Sequence, residues 1–228
     1  MSSLVVITGV TAAGKSTLER ELVSQGVCVP LISCTTRAPR VGERPGQDYN
    51  FVTPQDFVVG VQAGEIVAPG KTAGSHYGIE LTKLNEALGS GKNAVVVVDA
   101  DGVNELTQNS SIDSVVVCVD VRGPLAFSRL HSRYLKEIEG VNEKSSAFDA
   151  IVEHYTARFN GLQREVESMQ AVKVDEGVIR VSGNAPIQAA VSAVAKKLDP
   201  QAPDQSVENQ IHNALGRGNS MPSGNSLG

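Results

Sequence analysis

The chain has no tryptophan, and aromatic residues fill only 4% of its 228 positions. Hydrophobic residues reach 41%, so a core is available, but it has to be built from aliphatic side chains. Positive charge is not in excess. The net charge is −5, which disfavours nucleic acid and anionic membranes as partners and leaves small molecules as the expected ligands. Any anion site must be made locally, by particular arginines and backbone amides. The three cysteines, Cys28, Cys34 and Cys118, lie in apolar or strand-like runs without metal-ligand spacing, and the odd count suits reduced thiols in a cytosol. His131, His154 and His212 have no metal-ligand partners at useful spacing. No apolar run approaches a membrane span, and no basic region precedes the apolar stretch from Leu4, so a soluble cytoplasmic protein is expected. Internal repeats are absent, and the length suits one α/β domain with decorations.

Short β-branched runs alternate with helical patterns, the signature of a parallel sheet covered by helices. The predicted strands are Leu4–Thr8, Val29–Ser33, Ala94–Asp99, Ser114–Val119 and Val178–Ser182. The run from Ala94 to Val98 is apolar without alternation, as a strand buried on both faces requires. Helices are predicted at about 15–25, 54–63, 81–89, 124–138, 147–168 and 186–198. Phe148, Val152, Tyr155, Phe159, Leu162 and Val166 form one stripe down a long helix and read as core. From Asp199 the chain turns to Pro, Gly, Ser, Asn and Gln, so 199–228 is expected to be a flexible tail without catalytic function.

Residues 9 to 16, Gly-Val-Thr-Ala-Ala-Gly-Lys-Ser, fit the phosphate-binding pattern G-x-x-x-x-G-K-[ST], with a strand before and a helix after. Gly9 and Gly14 let the backbone bend so that the amides of Thr11, Ala12, Ala13, Lys15, Ser16 and Thr17 surround one concavity. The helix N-terminus adds partial positive charge. Lys15 can reach the outer phosphates of a nucleotide, and the Ser16 hydroxyl can ligate Mg²⁺. ATP or GTP is the expected ligand.

A second constellation follows the second strand: Ser33-Cys34-Thr35-Thr36-Arg37-Ala38-Pro39-Arg40-Val41-Gly42-Glu43, then Gly46-Gln47-Asp48-Tyr49-Asn50-Phe51-Val52. Two guanidinium groups and a tyrosine hydroxyl can hold a monophosphate dianion through charge-assisted hydrogen bonds. The run resembles the nucleoside-monophosphate binding signature of guanylate kinases, S-x-T-T-R-x-P-R-x-G-E followed by G-x-D-Y-x-F-V, and a looser likeness extends from Leu4 to Leu198. The resemblance implies a P-loop kinase fold over 1–198: a central parallel sheet flanked by helices, a monophosphate-binding subdomain at about 34–81 and a lid region at about 133–158. It further implies that Arg37, Arg40, Tyr49 and Tyr77 hold the acceptor phosphate, with Ser33 and Glu65 reading the guanine edge. Asp99 would help bind the monophosphate nucleotide, and Arg133 and Arg158 would neutralise the transferring phosphoryl from the lid. The implied activity is Mg²⁺-dependent phosphoryl transfer from ATP to GMP or dGMP.

Three departures bear on base selectivity. Ile79 stands where the family has Ser or Thr, Asp101 stands where it has Gln, and the stretch from Ala68 to His76 differs from the family's approach to Tyr77-Gly78. Tyr134–His154 is also longer than the usual lid and lacks its Arg-Gly-Thr start. A kinase for another small acceptor, such as a modified deoxynucleotide or a ribose phosphate, is one alternative. A non-catalytic binding module is another, and the intact phosphate loop weighs against it.

Overall fold

The computed structural model describes residues 2–39, 42–72, 74–171 and 177–201. Its central sheet is built from β1 (Leu4–Thr8), β2 (Val29–Pro30), β7 (Ala94–Val97), β8 (Ser114–Asp120) and β9 (Ile179–Ser182). The strands are parallel throughout, in the order β2-β7-β1-β8-β9. β1 lies in the middle, with Val5 paired to Val95 on one side and Val115 on the other. Leu4, Val5, Val6 and Ile7 are completely buried. Side chains alternate across a strand, so Val5 and Ile7 face the cluster of α1 (Lys15–Ser24) and α7 (Ile187–Leu198), with Leu18, Leu22, Val191 and Val194. Leu4 and Val6 face the opposite layer, α3 (Leu81–Gly89) and α4 (Ala100–Gln108), with Leu84, Val103 and Leu106. The aliphatic run is explained by helices on both faces.

A second sheet projects from this body. It contains β3 (Cys34–Thr35), β4 (Asn50–Phe51), β5 (Ile66–Thr72) and β6 (Ser75–Glu80), in the order β4-β3-β6-β5, with α2 (Pro54–Gln62) between β4 and β5. α2 starts on a side-chain cap, Thr53 Oγ1 accepting from the Asp56 N–H. Of the predicted strand at Val29–Ser33, only Val29–Pro30 forms, as β2. This part pairs in the central sheet, while the chain from Cys34 joins the second. The sequence reading missed β5, whose interior carries Ala68-Pro69-Gly70, residues that ordinarily argue against a strand. The structure accommodates them with a shift in pairing between Val67 and Gly70 and a left-handed Ala68, φ 49°. It missed α4 as well, because Asp101 and Gly102 in the first turn read as a loop.

α5 (Gly123–Ile138) and α6 (Ser146–Ala171) form a helix pair joined by residues 139–145. Leu130 and Tyr155, 0% and 2% exposed, pack together with Ala12 of the loop after β1. The apolar stripe on α6 is the packing face, as the spacing implied: Tyr155 and Leu162 are buried and Phe159 meets Phe127 at 4.9 Å between ring centroids. Among the described residues no helix is long and apolar enough to cross a membrane. Of the tail reading, 202–228 lies outside the described residues.

Candidate active site

The loop after β1 turns at Gly9, φ 145°, where any Cβ would collide with the Val119 carbonyl of β8. Gly14, φ 111°, then turns the chain into α1. No side chain caps α1 and no acidic residue lies in its first turn, so its N-terminal partial positive charge is uncompensated from within the helix; of the amides expected around the concavity, those of Ala13 and Thr17 donate instead to the Val10 carbonyl at 3.1 Å and the Gly14 carbonyl at 3.0 Å. Ser16 and Thr17 are exposed there. Lys15 folds back over the loop, its Nζ donating to the carbonyls of Gly9 at 2.6 Å and Val10 at 2.9 Å.

Burial pushes the Lys15 ammonium down to about 8; Glu165 opposes that shift, Arg158 and Arg133 add to it, and Asp99 opposes it weakly. Lys15 thus feels Arg133 of α5, Arg158 of α6 and Asp99 at the start of α4, which come from three separate parts of the chain. Arg133 is exposed on α5 and Arg158 half-buried on α6. Two further residues on those helices grip the loop and were not singled out from the sequence. Glu165 accepts from the Thr11 N–H at 2.6 Å and from its hydroxyl at 3.3 Å. Arg129 donates to the carbonyls of Ala13 at 3.2 Å and Gly183 at 2.8 Å. The available signal was helical spacing: Arg129 lies four residues before Arg133, and Glu165 seven after Arg158.

The acceptor-side residues come from the second sheet. Thr35 pairs with Tyr77, and Cys34 with Gly78, so β3 brings Arg37 beside Tyr77. The Arg37 guanidinium lies 5.4 Å from the Tyr49 ring centroid, and the Tyr49 and Tyr77 rings meet edge-on at 5.8 Å. Glu43 holds Arg37 in a bidentate pair, both contacts at 2.9 Å. The Arg37 Nε–H is buried with no hydrogen-bond partner among the described residues, an open donor of the kind a phosphate oxygen satisfies. Burial raises the Tyr49 phenol, with nearby Tyr77 adding to it, so the hydroxyl stays a donor at neutral pH. Glu19 on α1, another residue not anticipated, is pushed up by burial to about 7, with Arg20 opposing. Arg40 lies outside the described residues.

Asp99 stands at the C-terminal end of β7, where ligands meet parallel sheets. Its Oδ1 accepts from the Gly102 N–H at 2.9 Å and so caps α4. The base-reading residues are less converged. Ser33 is half-buried beside β4, its carbonyl accepting from the Asn50 N–H at 2.9 Å. Glu65 is exposed in the turn between α2 and β5, beyond the Ile66–Glu80 end of the hairpin, whereas Tyr77 pairs near its other end with Gly70. That separation is roughly 10 Å of strand. Ile79 is 0% exposed and packs into the core with Leu31, Ala68 and Leu84. No cluster of His, Cys, Asp and Glu among the described residues could hold a metal ion. A divalent cation here would have to be held by nucleotide phosphates and its own waters, with Ser16 contributing a hydroxyl, in keeping with the reluctance of Mg²⁺ to shed its waters.

Comparisons with known proteins bear on the family and the fold. The chain is 34% identical over 122 residues to a guanylate kinase of Cereibacter sphaeroides, covering 53% of this chain and 57% of that protein. It is 36% identical over 135 residues to one of Bifidobacterium longum, covering 58% and 68%. A longer match, 27% identical over 182 residues, links it to one of Clostridium perfringens, covering 77% and 82%. The chain spans about half the length of several of the curated relatives it matches, 57%, 55% and 48% in three cases. A crystal structure of guanylate kinase from Anaplasma phagocytophilum shares the fold, with TM-score 0.61 and 19% identity over 94% of this chain and 95% of that one. The sequence model of the family described as guanylate kinase matches residues 1–172, spanning the loop after β1, the Arg37–Tyr49–Tyr77 cluster and the α5–α6 pair, and the chain therefore belongs to the guanylate kinase family.

Proposed function

We propose that the chain transfers the γ-phosphoryl of ATP to a purine nucleoside monophosphate, GMP or dGMP, giving ADP and the diphosphate. The observation that carries the proposal is Lys15 folded back over the loop onto the Gly9 and Val10 carbonyls, at the start of a helix whose N-terminus no side chain caps. Phosphoryl transfer requires little covalent chemistry of the protein, only positioning and neutralisation of developing charge. The loop amides and Lys15 hold the donor. Arg37, Arg40, Tyr49 and Tyr77 hold the acceptor phosphate, with Asp99 and Ser33 on the nucleoside side. Arg133 and Arg158 cover the oxygens between, and Mg²⁺, held by Ser16 and the donor phosphates, supplies further charge neutralisation. The second sheet with α2, within about 34–81, serves as the monophosphate-binding part, and about 133–158, from the end of α5 to the middle of α6, as the lid, whose closure excludes water. The cytoplasm, where both nucleotides abound, is the proposed location.

A second reading concerns the acceptor alone. Glu65 lies on the hairpin away from the Arg37–Tyr77 cluster, and Ile79, buried in the core, offers no hydroxyl where the family has one, so base reading falls to Ser33 and Glu65 alone. A different small acceptor phosphate, such as a modified deoxynucleotide or a ribose phosphate, is therefore compatible with the same phosphate machinery. ADP release measured across ribo- and deoxynucleoside monophosphates tests both. GMP or dGMP should be the best common acceptor, and preference for another base by more than about tenfold would move the assignment to the second reading. No ADP release with any acceptor would leave a binding module.

A further inference from the structure

α6 does more than cover the site. Along one face, Tyr155 packs on Ala12, Glu165 binds Thr11, and Met169 Sδ accepts from the Thr8 hydroxyl at 3.6 Å. The helix therefore runs antiparallel to the chain from Thr8 to Ala12 and meets it at three points. Arg158 belongs to the same face. Seven residues separate it from Glu165, which brings the two to nearly the same angle on the helix, roughly 10 Å apart along the axis. Thr11 is 4% exposed, and its amide, expected among those facing phosphate, is taken by this carboxylate instead. The bond is charge-assisted and two-pronged, and such contacts are the strong and directional ones.

We propose that Glu165 is a positioning residue: by gripping the Thr11 amide and hydroxyl, it fixes the register of the lid helix on the phosphate loop and so holds Arg158 over the donor phosphates. The inference rests on the phosphoryl-transfer reading. Arg158 and Glu165 both lie close enough to Lys15 to act on its charge, which places this face of α6 against the donor side of the site. A misplacement of about 1 Å in such an arrangement can cost on the order of a hundredfold in rate. Removing the grip should therefore act on turnover more than on donor affinity.

The test uses the full chain with Glu165→Ala, Glu165→Gln, Arg158→Ala and the Glu165→Ala/Arg158→Ala double variant, assayed with ATP and GMP. Glu165→Ala should lower kcat by about tenfold or more while changing the KM for ATP by less than about threefold. Glu165→Gln, whose amide oxygen still accepts from Thr11, should recover to within about threefold of wild type. In the Arg158→Ala background, Glu165→Ala should change kcat by less than about twofold, because a residue acting through Arg158 has nothing left to position. Exchange of the Thr11 amide, followed by NMR, should be about tenfold faster in Glu165→Ala than in wild type or Glu165→Gln. Independent, multiplying effects of the two alanine substitutions would overturn the proposal, and so would unchanged Thr11 exchange. If wild type phosphorylates no monophosphate, the functional reading fails, and the Thr11 exchange comparison alone decides whether the grip exists.

Discussion

Lys15 carries a measurable consequence of its surroundings. Its ordinary value is 10.5 and burial lowers it to about 8, so the folded protein binds this proton less tightly than the unfolded chain does. Between about pH 8 and 10.5 the unfolded chain holds the proton that the folded protein has lost, and the stability cost of the buried charge disappears across that window. Nucleotide phosphates favour the ammonium form and reverse the shift. Binding of ADP at pH 8.5 should therefore take up a fraction of a proton, and affinity should fall as pH rises above about 8. Calorimetry in two buffers of different protonation enthalpy reads this directly. Equal apparent enthalpies, or the same uptake in Lys15→Met, would assign the proton elsewhere. At pH 7.5, Lys15→Ala should lose about a hundredfold or more in turnover, since a preorganised cation facing developing phosphoryl charge contributes about 3 kcal/mol. Near-normal turnover in that variant would remove Lys15 from the reaction.

Between elements, the contact that most tightly joins the acceptor sheet to the central one is the irregular stretch of β5 against α4. The Ala68 N–H donates to Glu105 at 2.8 Å, and Gly70 lies so close to Asp99 that a Cβ there would collide with the carboxylate. The same carboxylate caps α4. Gly70→Ala should push Asp99 off the Gly102 amide, at a cost of roughly 1–3 kcal/mol in overpacking and lost capping. Because Asp99 is assigned to the acceptor side, the KM for the monophosphate should rise more than that for ATP. Urea denaturation and steady-state kinetics check the two parts. A variant as stable as wild type would show that the hairpin yields at no cost.

For the whole molecule, the donor site ties together β1, α1, α5, α6 and the turn after β9, so occupying it should stabilise them as one unit. ADP at about a hundred times its Kd should contribute about 2.7 kcal/mol, a rise in Tm of roughly 5–10 °C for a domain of this size. A chain ending at Gln201 should show the same Tm and the same ADP response, because 202–228 is rich in Ser, Asn, Gln, Gly and Pro and has few large apolar residues. Scanning calorimetry on both chains decides it. A truncated chain melting several degrees lower would show that the segment packs on the domain.

The phosphate loop, the alternation of strands and helices and the stripe on α6 were all legible in the sequence, because each is set by local chemistry. Glycines at fixed spacing, aliphatic runs and a 3.6-residue period act over a few neighbours and leave their marks in order along the chain. The second sheet was largely hidden, since Ala68-Pro69-Gly70 is tolerated in β5 only through its anchoring on Glu105 and its packing against Asp99, residues about 30 positions away. Glu65 shows the same limit: its place in the motif is clear, but the end of the hairpin on which it falls depends on the register of β5 against β6. Glu165 and Arg129 were hidden for the same reason. A single carboxylate or guanidinium on a helix becomes part of a phosphate site only when long-range packing lays that helix against the loop, and that packing is written in no stretch of neighbouring residues.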